Sequence, residues 1–123
     1  MQPPLEIWER LRDHQRMNFM DFPAFLRTLD EPAPPVDAEI ALRALWYDAN
    51  GKDESALRAA SFDDSYACMR VRAYLFRKQG DVHKARLWYW KSGAPQWQDS
   101  LESEWEDIVK SILIERPVSN AYS

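Results

Sequence analysis

The chain has 123 residues, a formal net charge of −4, 46% hydrophobic and 29% charged residues. That balance suits one globular domain with a core of its own and excludes wholesale disorder. No apolar run approaches the roughly 20 residues that span a bilayer, and the single cysteine, Cys68, cannot close an internal disulfide.

The opening stretch, MQPPLEIWERLRDH, breaks its apolar residues with charges and does not read as a secretory signal. A cytoplasmic setting without membrane contact is the expectation. Ile7, Trp8 and Leu11 give this stretch one apolar face. A second short helix is expected from Asp21, its cap, with Pro23 in the first turn, where a missing N–H costs little. Phe22, Phe25, Leu26 and Leu29 supply its apolar side. The run Asp30–Pro35 (DEPAPP) breaks the pattern and is the candidate hinge.

Asp37 then reads as the cap of a strongly periodic helix. Ala38, Ala41, Leu42, Leu45, Trp46 and Ala49 fall at i, i+3, i+4, i+7, i+8 and i+11, the spacing of a core-facing stripe. Asn50-Gly51 ends it, and a short helix follows from about Asp53 to Ala60. Asp63-Asp64 are read as caps of the next helix, which carries Ala67, Val71, Tyr74 and Leu75 on one side and Met69, Ala73 and Phe76 on the other. A helix apolar on two sides sits between neighbours, so it is placed at the centre of the molecule. Gly80-Asp81 makes the second turn. The following helix puts Ala85, Trp88, Tyr89 and Ser92 on one face and stops at Gly93-Ala94-Pro95. Ser100 caps a last helix striped by Leu101, Trp105, Ile108 and Ile112, which is expected to end near residue 116, leaving Pro117–Ser123 frayed.

One segment occurs twice at a spacing of 29 residues: Ala44, Gly51 and Ala56 recur as Ala73, Gly80 and Ala85. An apolar helix, a glycine turn and a small residue five positions later form the pattern of stacked helical hairpins. The expectation is therefore one all-α domain over residues 1–123, of about six helices and no sheet. Residues 1–31 supply N-terminal helices, 36–93 two hairpin repeats, and 100–116 a capping helix.

Gly80-Asp81, Ala85 and Tyr89 resemble the turn glycine, packing alanine and aromatic of tetratricopeptide and Sel1-like repeats. More narrowly, Val71–Gly93 (VRAYLFRKQGDVHKARLWYWKSG) resembles a group of uncharacterised bacterial proteins. Their core reads approximately HAYLHRKEGD, followed by a helix rich in tyrosine and tryptophan. Where that pattern has two histidines four apart, this chain has Arg72 and Phe76, and Leu57 stands in place of a further histidine. No metal or acid–base role carries over from the resemblance.

Charge is unevenly spread: residues 70–91 sum to +6, the first 69 residues to −6 and the last 32 to −4. Two readings fit. Acidic flanks lie against a basic hairpin, or the hairpin offers a basic patch to an acidic partner. The candidate binding residues are Arg70, Arg72, Arg77, Lys78, Trp90 and Trp97, with Arg72 on the outer part of its helix. Trp90 and Leu87 project away from Ala85, Trp88 and Tyr89, and either bind a partner or lie under the last helix with Trp105 covering Trp90.

Catalytic signals are weak. His14 and His83 are the only histidines, no paired metal-ligand spacing occurs, and Cys68 lies mid-helix among apolar residues. The carboxylates at Asp63-Asp64 and at Glu102, Glu104, Glu106 and Asp107 are explained by capping and a solvated helix face. Phosphate-binding glycine loops are absent. The expected role is non-catalytic protein–protein interaction, with no catalytic residue, metal or cofactor, including self-association into a homo-oligomer. Its mode is an acidic partner segment paired with the basic hairpin. Nucleic-acid or nucleotide binding by the same hairpin, and a small-ligand or enzyme pocket lined by Trp88, Tyr89 and Trp97, are the alternatives.

Overall fold

The computed structural model describes residues 20–121 and the side chains of residues 20–113. The N-terminal amphipathic stretch with Ile7, Trp8 and Leu11, and His14, lie outside the described residues. Six α-helices and no strand occur among the described residues: α1 (Phe22–Thr28), α2 (Ile40–Ala49), α3 (Asp53–Ala60), α4 (Tyr66–Gln79), α5 (Val82–Ser92) and α6 (Leu101–Ala121). The all-α expectation holds.

Local chemistry accounts for most boundaries. Asp21 caps α1 by accepting from the Ala24 N–H at 2.9 Å, with Pro23 in the first turn. Asp81 and Ser100 cap α5 and α6 in the same way, through the N–H groups of Lys84 and Ser103. Gly51 and Gly80 take φ of 73° and 85°, the left-handed conformation that closes each hairpin turn.

Three boundaries depart from expectation. Asp37 caps nothing: Ala38 N–H bonds back to the Pro35 carbonyl, so 35–38 form a turn and α2 starts at Ile40. Ser65 rather than Asp63 or Asp64 caps α4, accepting from Cys68 N–H at 3.2 Å. Asp63 instead accepts from the Ser65 N–H, which orients the cap and holds the Asp63 carboxyl below its usual range. At the other end α6 continues to Ala121, past the expected stop near residue 116, although Pro117 has no N–H for the helical ladder.

α2 and α3 form one hairpin and α4 and α5 a second, with α6 crossing back over α4 and α2 and α1 packed on α6. Five successive residues of α4, Val71 to Leu75, are buried, as they must be in a helix with neighbours on every side. The repeat positions Ala44, Ala56, Ala73 and Ala85 are all buried, the first three completely. Ala49, assigned to the α2 stripe, is exposed at its end. The main core gathers Phe25, Leu42, Leu45, Trp46, Val71 and Ile108 with their neighbours. A smaller cluster of Ala73, Ala85 and Tyr89, with Phe76, Trp88 and Trp97 against it, joins α5 to α4.

Two indole N–H groups tie elements together through backbone carbonyls. Trp46 Nε1 donates to Thr28 O at 2.8 Å, at the end of α1, and Trp105 Nε1 donates to Leu45 O at 3.0 Å. Cys68 is completely buried near the start of α4 rather than mid-helix, and burial pushes its thiol up to about 11. It packs as a small apolar group.

Enlarging a repeat alanine tests this packing. Ala56→Leu is expected to overpack the α2–α3 hairpin and cost about 1–3 kcal/mol. Urea denaturation should show a lower midpoint with an unchanged slope.

Candidate interaction surface

The four cations of α4 proposed as binding residues are engaged within the chain. Arg70 Nη2 donates to Asp107 Oδ2 at 2.6 Å, and its guanidinium lies 5.8 Å from the Trp97 ring centre. The Arg70 Nε is buried without a partner. Arg77 Nη1 donates to Glu104 Oε1 at 3.0 Å, and its Nη2 donates to the Asp99 carbonyl. Lys78 Nζ donates to Asp48 Oδ1 at 2.9 Å.

Arg72 differs most from expectation. It is 5% exposed, not on the outer part of α4. Its Nε donates to Ala60 O at 2.6 Å, its Nη1 to Asp64 Oδ1 at 3.0 Å, and its Nη2 to the Asp63 carbonyl. A cation at the last carbonyl of α3 complements the negative end of that helix. Trp88 covers the same guanidinium, 4.5 Å from the ring centre. Arg72 thereby ties the loop between α3 and α4 to α4.

Two carboxylates sit at the centre of these pairs. Glu104 is completely buried, with Arg77 on Oε1 and the Tyr89 hydroxyl donating to Oε2 at 2.5 Å. The reading of Glu104 as part of a solvated face is therefore corrected: it lies on the inner side of α6, and only Glu102 and Glu106 of that acidic run are exposed. Asp48 is likewise shared, taking the Tyr74 hydroxyl on Oδ2 at 2.9 Å and Lys78 on Oδ1. Burial, reinforced by the adjacent carboxylate, pushes both phenols above the ordinary tyrosine range.

Trp97 is half-buried against the Ala73–Ala85–Tyr89 cluster, with Nε1 donating to Ser103 Oγ at 2.9 Å. Trp88, Tyr89 and Trp97, expected as the lining of a pocket, pack together with Ala73, Ala85 and Phe76. Trp105 does not cover Trp90. It packs on Phe22 and Phe25, with ring centres 6.2 and 6.0 Å apart.

Of the six proposed binding residues, Lys78 and Trp90 are exposed; Lys78 is paired with Asp48, and Trp90 stands open at 78% exposure. Around it the outer face of α5 presents His83, Arg86, Leu87 and Lys91, all exposed. Among the described residues Arg86 forms no hydrogen bond or ion pair, and Lys91 only approaches the Trp88 ring, at 4.9 Å. Lys84 is loosely paired with Asp81 at 4.0 Å. The candidate residues named from the sequence lay mostly on α4, and Arg86 and Lys91 entered only as part of the basic hairpin 70–91. The spacing of residues 83, 86, 87 and 90 marks them as one helical face.

Among the described residues no group of three His, Cys, Asp or Glu side chains could hold a metal ion. No protein-family model matches the chain, and neither a curated protein nor a solved structure matches it.

The internal pairs make two predictions. Glu104→Ala strands the Arg77 charge and the Tyr89 hydroxyl and is expected to cost about 3 kcal/mol in urea denaturation. Unfolded tyrosines ionise near 10, whereas Tyr74 and Tyr89 ionise higher when folded. Their contribution to stability is thus complete below about pH 10 and falls as pH rises further. Tyr74→Phe and Tyr89→Phe should each flatten that alkaline loss, read as the urea midpoint against pH.

Proposed function

We propose that this chain is a non-catalytic protein-interaction module that docks an acidic, apolar-anchored segment of a partner protein across the outer face of α5. The carrying observation is Trp90, exposed with Leu87 on a face whose charged residues are all basic. Tryptophan and arginine dominate the energetics of protein interfaces. Arg86 and Lys91 need not leave a carboxylate of this chain to meet one on a partner, unlike Arg70, Arg72, Arg77 and Lys78. The partner chemistry inferred from the basic hairpin is retained, and its location moves from α4 to α5.

Burial of all four repeat alanines supports reading the two hairpins as a tetratricopeptide- or Sel1-like stack. The cytoplasm is the proposed setting. A lone reduced cysteine fits it, and no helix among the described residues is long and apolar enough to cross a membrane.

Selection of displayed peptides on the full chain tests the docking face. Enriched peptides are expected to carry Asp or Glu around one apolar residue. Trp90→Ala should weaken their binding about 30-fold and change the unfolding free energy in urea by less than about 0.5 kcal/mol. An Arg86→Glu, Lys91→Glu double variant should abolish binding. A selection without acidic consensus, or binding indifferent to both variants, would overturn the proposal. Oligonucleotide binding with a steep salt dependence, or concentration-dependent sedimentation lost in Trp90→Ala, would put nucleic acid or a second copy in the partner's place.

A further inference from the structure

A second site lies away from the α5 face. The ends of α1, α2, α4 and α6 enclose a cleft of about 570 Å³, the size of a small-ligand pocket. Its walls are apolar, formed by Phe22, Leu26, Leu29 and Trp105. They are also fixed in place: the Trp105 indole is bonded to Leu45 O and packed on Phe22 and Phe25.

The polar groups of the cleft are divided between floor and mouth. On the floor Asp48 has both oxygens in use, one by Tyr74 and one by Lys78, so its charge is neutralised where it sits. At the mouth Glu102 and Glu106 are four residues apart on α6, where like charges repel. Glu106 is countered by Lys110, whose Nζ lies 2.8 Å from Oε2 and 5.0 Å from the centre of the Phe22 ring. Glu102 has no hydrogen-bond or ion-pair partner among the described residues. An ammonium of the chain itself thus already rests between a glutamate and the Phe22 face, and the matching glutamate one turn earlier is unanswered.

We propose that this cleft binds a small apolar cation, an aryl- or alkylammonium whose body lies against Phe22, Leu26 and Trp105 and whose charge meets Glu102. Aromatic walls attract a cation as well as an apolar body, and binding relieves the repulsion between the two glutamates. An anion of the same shape meets the exposed carboxylate and is rejected. The inference is independent of the α5 docking face, since the two share no residue.

The test uses the full-length protein and a matched pair of probes, 4-phenylbutylammonium and 4-phenylbutyrate. Binding is followed through the indole N–H resonance of Trp105. The amine is expected to shift that resonance saturably below about 10 mM, a range typical of a weak small-ligand site. The carboxylate should bind at least about fivefold more weakly, the ratio for one charge contact near water. Glu102→Gln should remove that preference. Ala49→Phe, at an exposed position on the cleft wall, should block both probes while circular dichroism remains that of the native protein. No saturable shift up to about 10 mM, equal affinity for the two probes, or either variant binding as the wild type does would overturn the proposal.

Discussion

The Glu104 carboxylate is the constraint around which the second hairpin is organised. Removing an ion from water costs several kcal/mol unless its lone pairs are met by donors and an opposite charge. Glu104, on α6, receives both from elsewhere: the charge from Arg77 of α4 and the hydroxyl from Tyr89 of α5. One carboxylate therefore fixes the relative positions of three helices. Such an arrangement adds less to stability than an equal volume of packed hydrocarbon would. Its effect is on register, because a shift of one turn in any of the three helices strands a buried charge.

Asp48 performs the corresponding task on the other side of α4. Its partners Tyr74 and Lys78 lie one turn apart on α4, while Arg77 of the Glu104 cluster falls between them in sequence but points to α6. A helix that is buried along five successive residues draws much of its charge out of bulk water. α4 resolves this by delivering each cation to a carboxylate of a neighbour: Asp107 and Glu104 of α6, Asp48 of α2, and Asp64 in the loop before it. The Arg72 guanidinium also takes up the last carbonyl of α3, so a cation does at that helix end what glycine does at Gly80 and Gly93.

Local grammar was legible in the sequence because it depends on neighbours a few residues away. The caps at Asp21 and Ser100, the glycine turns, and the small residues at Ala44, Ala56, Ala73 and Ala85 all lie where spacing put them. The central position of α4 followed from its two apolar sides. Where residues compete for one role, sequence alone did not decide. Asp63, Asp64 and Ser65 are all good caps, and only the backbone path shows that Ser65 does the capping while Asp63 orients it. Long-range pairing was equally hidden. Nothing in the spacing sends Trp105 to Phe22 and Phe25 rather than to Trp90, or turns Glu104 inward while Glu102 and Glu106 face water. Arg72 was misplaced for the same reason, since a long polar side chain is assigned to solvent until its buried partners are known.

The charge asymmetry of the chain acquires a physical meaning once the pairs are known. Internal complementarity and a basic patch stood as rival explanations of the +6 segment, and the two describe different helices within it. The cations of α4 answer the acidic flanks, so this part of the asymmetry is spent inside the fold. The cations of α5 do not. Tyr89 and Ala85 are its only buried residues, and among the described residues no carboxylate from another helix pairs with a cation on its outer side. α5 is joined to the body by the Ala73–Ala85–Tyr89 cluster, and its exposed tryptophan stands between a lysine and an arginine that is unpaired among the described residues, which is what supports the proposed docking face. Hydrophobic area and charge of one sign share this face. They favour a partner that brings carboxylates around an apolar centre. The proposed docking needs no deformation of the hairpins, because the buried Glu104 carboxylate already holds α5 in place through Tyr89.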